Sequence, residues 1–233
     1  MITALILDFD GVIVDTEPLH YRAFQRVLEP DGAGFTWETY VSDYIGYDDR
    51  DAFALAYRQQ GRDLSGAEAA ARIAGKAEVF VQLVEESDIE CYPGIRRLVG
   101  DCRSHGVPIG LCSGALRSDI DAVLRRVGLD PAFDVMVTAD DVAVGKPDPE
   151  GYRRALASLR TAYPDRPWST GRAVAIEDTP GGIEAARGAG LAVVGVTTTQ
   201  PAGALHAAHR IVSSVEAMGW ETLVSWVLDP GGA

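Results

Sequence analysis

"LILDFDGVIVDTEPLH", residues 5–20, begins as a short apolar run of the kind buried as a strand, then meets two aspartates one residue apart and a glycine. Alternate residues of a strand face the same way, so Asp8 and Asp10 start on one side while Phe9 points to the other. Two like charges at the end of a buried strand repel each other unless the fold brings compensating groups to the same edge. The rest of the stretch leads away from that edge. Pro18 has the fixed φ that opens a helix, so "DTEP" reads as the entry to a helical segment.

Further short β-type runs bounded by turn residues follow at 109–112 ("IGLC"), 135–138 ("VMVT"), 173–176 ("AVAI") and 192–196 ("AVVGV"). Most are continuous apolar stretches, which suits strands covered on both faces. Helical segments separate them, and the spacing predicts an α/β fold with a doubly wound parallel sheet. Between the first two runs lie roughly a hundred residues of helical periodicity, far more than one crossover helix requires. An inserted α-helical domain over 15–89 is the economical reading, with 1–14 and 90–233 forming the core. Its exit is marked by Pro93 and Gly94 in "ECYPGI". Helices are expected at 18–29, 37–43, 48–60 and 66–86 in the insert, and at 94–104, 117–127, 149–162, 180–188 and 216–227 after it. Asp148 before Pro149 and Thr179 before Pro180 are the clearest helix starts.

With 233 residues the chain can bury one sizeable core, or a core carrying a smaller inserted domain. A net charge of -13 argues against nucleic-acid and anionic-membrane partners, which are held by clustered Lys and Arg. A monomer is expected. No apolar run approaches the roughly 18 residues of a spanning helix. Met1 leads into strand-like sequence instead of a charged and then apolar leader, so a cytoplasmic protein is expected. Cys91, Cys102 and Cys112 are odd in number and lack CxxC spacing, and they read as reduced structural thiols.

In a doubly wound sheet, ligands bind outside the carboxyl ends of the strands. The first run ends at "DFDG", the second at "CSGA" with Ser113 and Gly114, the third leads to "VGKPDP" with Lys146, and the fourth ends at "EDTPGG" with Glu177 and Asp178. Taken singly, each has a bland reading: a strand-end Asp is usually a turn residue, Ser113 an N-cap, and Asp178 an acid favoured by a helix N-terminus. Together they place several carboxylates at one edge, which calls for a cation, and an oxygen-only set suits Mg²⁺. A carboxylate beside Mg²⁺ can act as a nucleophile. Ser113, the backbone amides near Gly11 and Gly114, and the Lys146 ammonium would meet an anionic substrate. The layout reads as phosphoryl transfer. Only two of the 21 basic residues, Lys76 and Lys146, are lysines, which marks both as places where a compact charge serves better than a guanidinium fork.

The four segments "DFDGV", Ser113, "GKPDP" and "IEDTPGGIEAA" resemble, in order, the motifs of the haloacid dehalogenase-like hydrolase superfamily. "DGVIVDTEPLH" followed by a helical insert resembles the branch that includes β-phosphoglucomutase and many small-metabolite phosphatases. This resemblance spans nearly the whole chain and implies a Rossmann-like core with a cap domain. It further implies Asp8 as the nucleophile that takes the phosphoryl group. Asp10 would be the acid that protonates the leaving oxygen and then the base that activates water. Mg²⁺ would be held by Asp8, the Asp10 main-chain carbonyl and Asp178, with Glu177 a nearby or direct ligand, and Ser113 and Lys146 would bind the phosphoryl oxygens. Thr16 and His20 would couple the cap to the site. Gly46, Arg50 and Lys76 would face the substrate from the cap, although "YIGYDDRDAF" departs by one residue from the phosphomutase spacing.

The expected function is a Mg²⁺-dependent phosphatase of a small phosphorylated metabolite, a sugar phosphate by preference. A phosphomutase that returns the same aspartyl phosphate to sugar is the alternative. "CSGALR" lacks the serine, lysine and asparagine that follow the motif serine in that mutase. Dehalogenation needs neither the second aspartate nor the "ED" pair. A non-catalytic binding module on this fold is disfavoured by the intact set of motifs.

Overall fold

The computed structural model describes residues 2–228. Six parallel strands form its sheet: β1 (Ala4–Leu7), β2 (Ile109–Cys112), β3 (Val135–Val137), β4 (Ala173–Glu177), β5 (Ala192–Val196) and β6 (Arg210–Val212), in the order β3-β2-β1-β4-β5-β6. The chain builds outward from β1 on one side and then crosses over it to add β4 on the other. This reversal opens a crevice at the carboxyl ends of β1 and β4. Register levels the strand ends there: Leu7 pairs with both Leu111 and Ile176, so Asp8, Cys112 and Glu177 come next at one edge.

Every residue of β1, β2 and β4 is buried, which is why these strands carry no polar side chain before the closing Glu177 of β4. One sheet face packs Leu5, Leu7, Ile109, Leu111, Val174 and Ile176 against α5 (Ile95–Ser104) and α6 (Arg117–Val127). The other packs Ala4, Ile6 and Ala175 against α7 (Glu150–Ala162) and α8 (Pro180–Gly188). A last helix, α9 (Trp220–Leu228), adds Leu223 to the first face.

Between β1 and β2 the chain forms α1 (Glu17–Leu28), α2 (Trp37–Asp43), α3 (Asp49–Gln59) and α4 (Gly66–Glu86). The starts of α2, α3 and α4 are sealed by side chains: the Thr36 hydroxyl accepts from the Thr39 amide, the Asp48 carboxylate from the Asp51 amide, and Ser65 and Glu68 close a reciprocal capping box. Each such cap contributes about 1 kcal/mol. Phe24, Leu28, Tyr40, Tyr44, Phe53 and Tyr57 form an apolar cluster of their own. The long α4 also places Phe80, Leu83 and Val84 in the main core, so the helical segment and the sheet share packed side chains.

Several boundaries differ from the sequence expectation, most by one residue, and four of the differences have a visible cause. β6 went unforeseen because Arg-Ile-Val at a half-exposed edge carries no apolar run. β3 stops one residue early, because the Thr138 amide and hydroxyl both donate to Asp141 and turn the chain. α7 begins at Glu150, with Pro149 at the N-cap and the Asp148 carboxylate accepting from the Glu150 amide at 2.8 Å. The final helix begins at Trp220, since the Met218 amide donates to the Val215 carbonyl in a preceding turn. Among the described residues no helix is long and apolar enough to cross a membrane.

Candidate active site

At the β1–β4 crevice, Asp8, Glu177 and Asp178 each offer a carboxylate oxygen, and the three lie within 4.8 Å of one another. Lys146, carried by the loop after β3, sets its ammonium 2.7 Å from Asp8 Oδ1 and 2.6 Å from Glu177 Oε1. Burial opposes the lysine's charge, but the two carboxylates outweigh it and hold the ammonium above its ordinary range. Glu177 is fully buried and also accepts from the Tyr152 hydroxyl at 2.6 Å. Burial and the neighbouring Glu177 push the Asp8 carboxyl up to about 8 despite Lys146. Burial, Asp8 and Glu177 likewise raise Asp178 well above the usual carboxylate range.

One lysine therefore does not neutralise three acids. The deficit is local: Asp178 Oδ1 is buried without a hydrogen-bond partner, whereas Asp178 Oδ2 accepts from Thr199 Oγ1. A buried carboxylate oxygen with no donor is costly unless a cation meets it. The oxygen donors and the missing positive charge fit a Mg²⁺ ion at Asp8 and Asp178, with Glu177 alongside.

Asp10 faces a different environment. Its Oδ1 accepts from the fully buried Thr16 hydroxyl, and burial, partly offset by that hydrogen bond, moves its carboxyl up to about 6. His20 Nε2 lies 3.7 Å from the same oxygen. On the other side of the ring, Nδ1 is 2.8 Å from the Lys76 ammonium, which can only donate. Nδ1 must then accept, so the ring proton sits on Nε2 and points toward Asp10. Burial first, and Lys76 second, lower the His20 pKa well below its ordinary value, so the ring is neutral.

Close approach dictates two glycines. Gly11 has φ +75, and a Cβ there would stand 1.9 Å from Asp178 Oδ2. At Gly182 a Cβ would stand 2.0 Å from Glu177 Oε2. Gly11→Ala is expected to displace Asp178 and strain the turn, lowering turnover about 10²-fold, since misplacement by about 1 Å has that order of effect. Steady-state kinetics together with a denaturation curve distinguish this outcome from loss of folding.

The pocket above these groups is lined by Asp8, Asp10, His20, Gly46, Ser113, Gly114, Lys146 and Asp178 from the expected set. Ser113 Oγ accepts from the Ala115 amide at 3.0 Å, which holds it at the edge after β2. Gly11, Thr16 and Glu177 stand behind this wall, supporting groups that line it. Two expected substrate ligands are placed elsewhere. Arg50 turns away from the pocket: Nε and Nη2 donate to Asp48 Oδ2 at 3.1 and 2.6 Å, and Nη1 donates to the Val142 carbonyl at 3.1 Å. Lys76 is fully buried, 3.0 Å from Asp49 Oδ1 and 3.2 Å from Asp119 Oδ2. Both positions follow from acids that offered stronger partners than the open pocket.

Sequence reading missed Thr198, whose hydroxyl donates to the Gly11 carbonyl, together with Thr199, Tyr152, Asp49 and Asp119. The "TTT" directly after β5 could have been found by extending the strand-end rule to the fifth strand. The others carry no local signal.

A doubly wound sheet with a lysine-bridged acid set at its switch point defines a hydrolase-type site for an anionic substrate. The sequence model of the haloacid dehalogenase-like hydrolases matches residues 2–190, and the chain belongs to that family. It is 34% identical over 196 residues to Protein CbbY of Cereibacter sphaeroides, covering 82% of each chain. A phosphorylated carbohydrates phosphatase of Thermotoga maritima is 33% identical over 189 residues, covering 81% of this chain and 82% of that one. Among solved structures, a point mutant of CbbY from Rhodobacter sphaeroides in complex with xylulose-(1,5)bisphosphate superposes with a TM-score of 0.84 at 31% identity, covering 96% of this chain and 99% of that one.

Proposed function

We propose that this protein is a phosphatase that hydrolyses the monoester of a small phosphorylated metabolite, a sugar phosphate by class, through an aspartyl phosphate on Asp8. The observation that carries this reading is the Asp8 carboxylate held at 2.7 Å by Lys146, with the unpartnered Asp178 Oδ1 beside it. Two of its relatives bear names or ligands of phosphorylated carbohydrates, which supports the substrate class. Residues 15–89 act in this reading as a cap over a core of 1–14 and 90–233.

The chemistry follows from the residues present. An Asp8 oxygen forms a bond to phosphorus as the ester oxygen leaves, and the protonated form of Asp10, made more accessible by a carboxyl that burial raises to about 6, gives that oxygen its proton. Thr16 and the Nε2–H of His20 hold Asp10 in place for this transfer. Lys146 and Ser113 stabilise the charge on the transferring oxygens. In the second half, Asp10 as carboxylate takes a proton from water, which attacks the phosphoaspartate and regenerates Asp8 with release of inorganic phosphate. Mg²⁺ at Asp8, the Asp10 carbonyl, Asp178 and Glu177 would supply the positive charge that keeps Asp8 ionised and screens the phosphoryl group. Passing the phosphoryl group to a sugar would require a cap that holds a second phosphate. Here the cap wall carries Glu17, Asp48 and Asp49 instead.

A panel of phosphomonoesters tests the reading directly. Phosphate release from sugar phosphates is expected with Mg²⁺, falling to background in excess EDTA and returning when Mg²⁺ is restored. Absence of release from every ester, including p-nitrophenyl phosphate, would overturn it.

A further inference from the structure

The cap-side wall of the pocket is acidic, and one of its acids is incompletely paired. Glu17, Asp48 and Asp49 line it together with Tyr40, Tyr44 and Tyr47. The Glu17 carboxylate accepts from the Tyr40 hydroxyl. Asp48 is occupied on both oxygens, Oδ1 by the Asp51 amide and Oδ2 by Arg50. Asp49, in the first turn of α3, is only 7% exposed, and its Oδ1 takes the Lys76 ammonium at 3.0 Å. Its Oδ2 is buried with no hydrogen-bond partner. Lys146 is the one Lys or Arg among the described residues lining this pocket, and it belongs to the phosphoryl end.

From this we infer that Asp49 is a specificity-determining residue: its free Oδ2 accepts a hydrogen bond from a hydroxyl of the leaving group, so the site takes a polyhydroxylated monophosphate and rejects one bearing a second phosphate. The inference rests on the phosphatase reading above and deepens it. An unpaired buried acceptor is satisfied by a hydroxyl hydrogen and by no group that is itself only an acceptor. A second phosphate would meet no uncommitted cation from the described residues of this wall, because Arg50 is held by Asp48 and the Val142 carbonyl and Lys76 by Asp49 and Asp119. The bisphosphate held by a relative at 31% identity makes this discrimination a direct point of difference to measure.

The test compares kcat/KM for fructose 6-phosphate, fructose 1,6-bisphosphate, sorbitol 6-phosphate and p-nitrophenyl phosphate, in the wild type and in Asp49→Asn. The asparagine is isosteric: its carbonyl can keep the Lys76 contact while its NH₂ puts a donor where the unpaired Oδ2 acceptor stood. The wild type is expected to favour the better hexose or hexitol monophosphate over the bisphosphate by at least about tenfold. Asp49→Asn is expected to lower the ratio of monophosphate to p-nitrophenyl phosphate kcat/KM by roughly 10- to 100-fold, the order of one hydrogen bond to a charged group. The loss should fall on KM more than on kcat. A bisphosphate preference in the wild type, or an unchanged ratio in the variant, overturns the inference. A parallel fall on all substrates, the mark of a purely structural Asp49, also overturns it. If the wild type turns over p-nitrophenyl phosphate yet fails these comparisons, the phosphatase reading stands and this inference alone falls. If it releases phosphate from nothing, the phosphatase reading falls first.

Discussion

Asp8→Asn is expected to reduce phosphate release on the order of 10⁴-fold or more, the scale seen when a nucleophile that works in concert with its neighbours is removed. The amide cannot take the phosphoryl group, while Lys146 keeps Glu177 as a partner at 2.6 Å. The same substitution is expected to leave the fold at least as stable. Burial raises the folded Asp8 pKa from 3.8 to about 8, so the folded state favours the protonated carboxyl. Such a group supports the fold most fully below its unfolded pKa, and that support is lost as pH rises through the folded value. In metal-free buffer the wild type should therefore lose stability relative to Asp8→Asn between about pH 4 and pH 8. Urea titrations across that window check the sign, and a variant that retains turnover within tenfold of wild type would remove Asp8 from the chemistry.

Lys76→Met is expected to destabilise the protein by about 3–5 kcal/mol, the cost of breaking a buried ion pair by deleting one partner. The ammonium is fully enclosed, with Asp49 at 3.0 Å, Asp119 at 3.2 Å, His20 Nδ1 at 2.8 Å and the Phe24 and Phe80 rings at 5.2 and 5.1 Å. Burial works against its charge, but Asp49 and Asp119 outweigh that and keep it above its ordinary range. Methionine fills the volume and leaves two buried carboxylates without a cation. Adding Asp119→Asn to the variant should restore part of the loss, since it removes one of the two stranded charges. A change below about 1 kcal/mol in denaturant unfolding would show that the cluster contributes little to stability. The contact also joins α4 to α6, so the variant is expected to weaken the hold of the helical segment on the sheet.

Much of the fold was legible because the physical causes are local. Continuous apolar runs at β1, β2 and β4 announce strands covered on both faces, and Thr179 with Pro180 announces α8. Its start is sealed as expected, the Thr179 hydroxyl accepting from the Gly182 amide. The strand-end rule collects Asp8, Ser113, Lys146, Glu177 and Asp178 into one neighbourhood from the sequence alone. Where the reading fell short, the cause was competition at a distance. Arg50 and Lys76 look like substrate ligands as isolated cations near a pocket. Asp48 and the Val142 carbonyl hold the first, and Asp49 and Asp119 the second. Asp119 lies 43 positions from Lys76, and no periodicity links them.

By itself the sequence determined the order of the elements, the edge at which the acids gather and the reaction type they suit. These depend on hydrophobic period, capping chemistry and the identity of strand-end residues, all of which are written in short windows. Tertiary structure alone decided which carboxylate oxygens are satisfied and which are not. Asp178 Oδ1, which we assign to a cation, and Asp49 Oδ2, which we assign to the leaving group, are buried without a hydrogen-bond partner. Hydrogen-bond satisfaction is a property of the packed neighbourhood, and it is there that the site's selectivity is set.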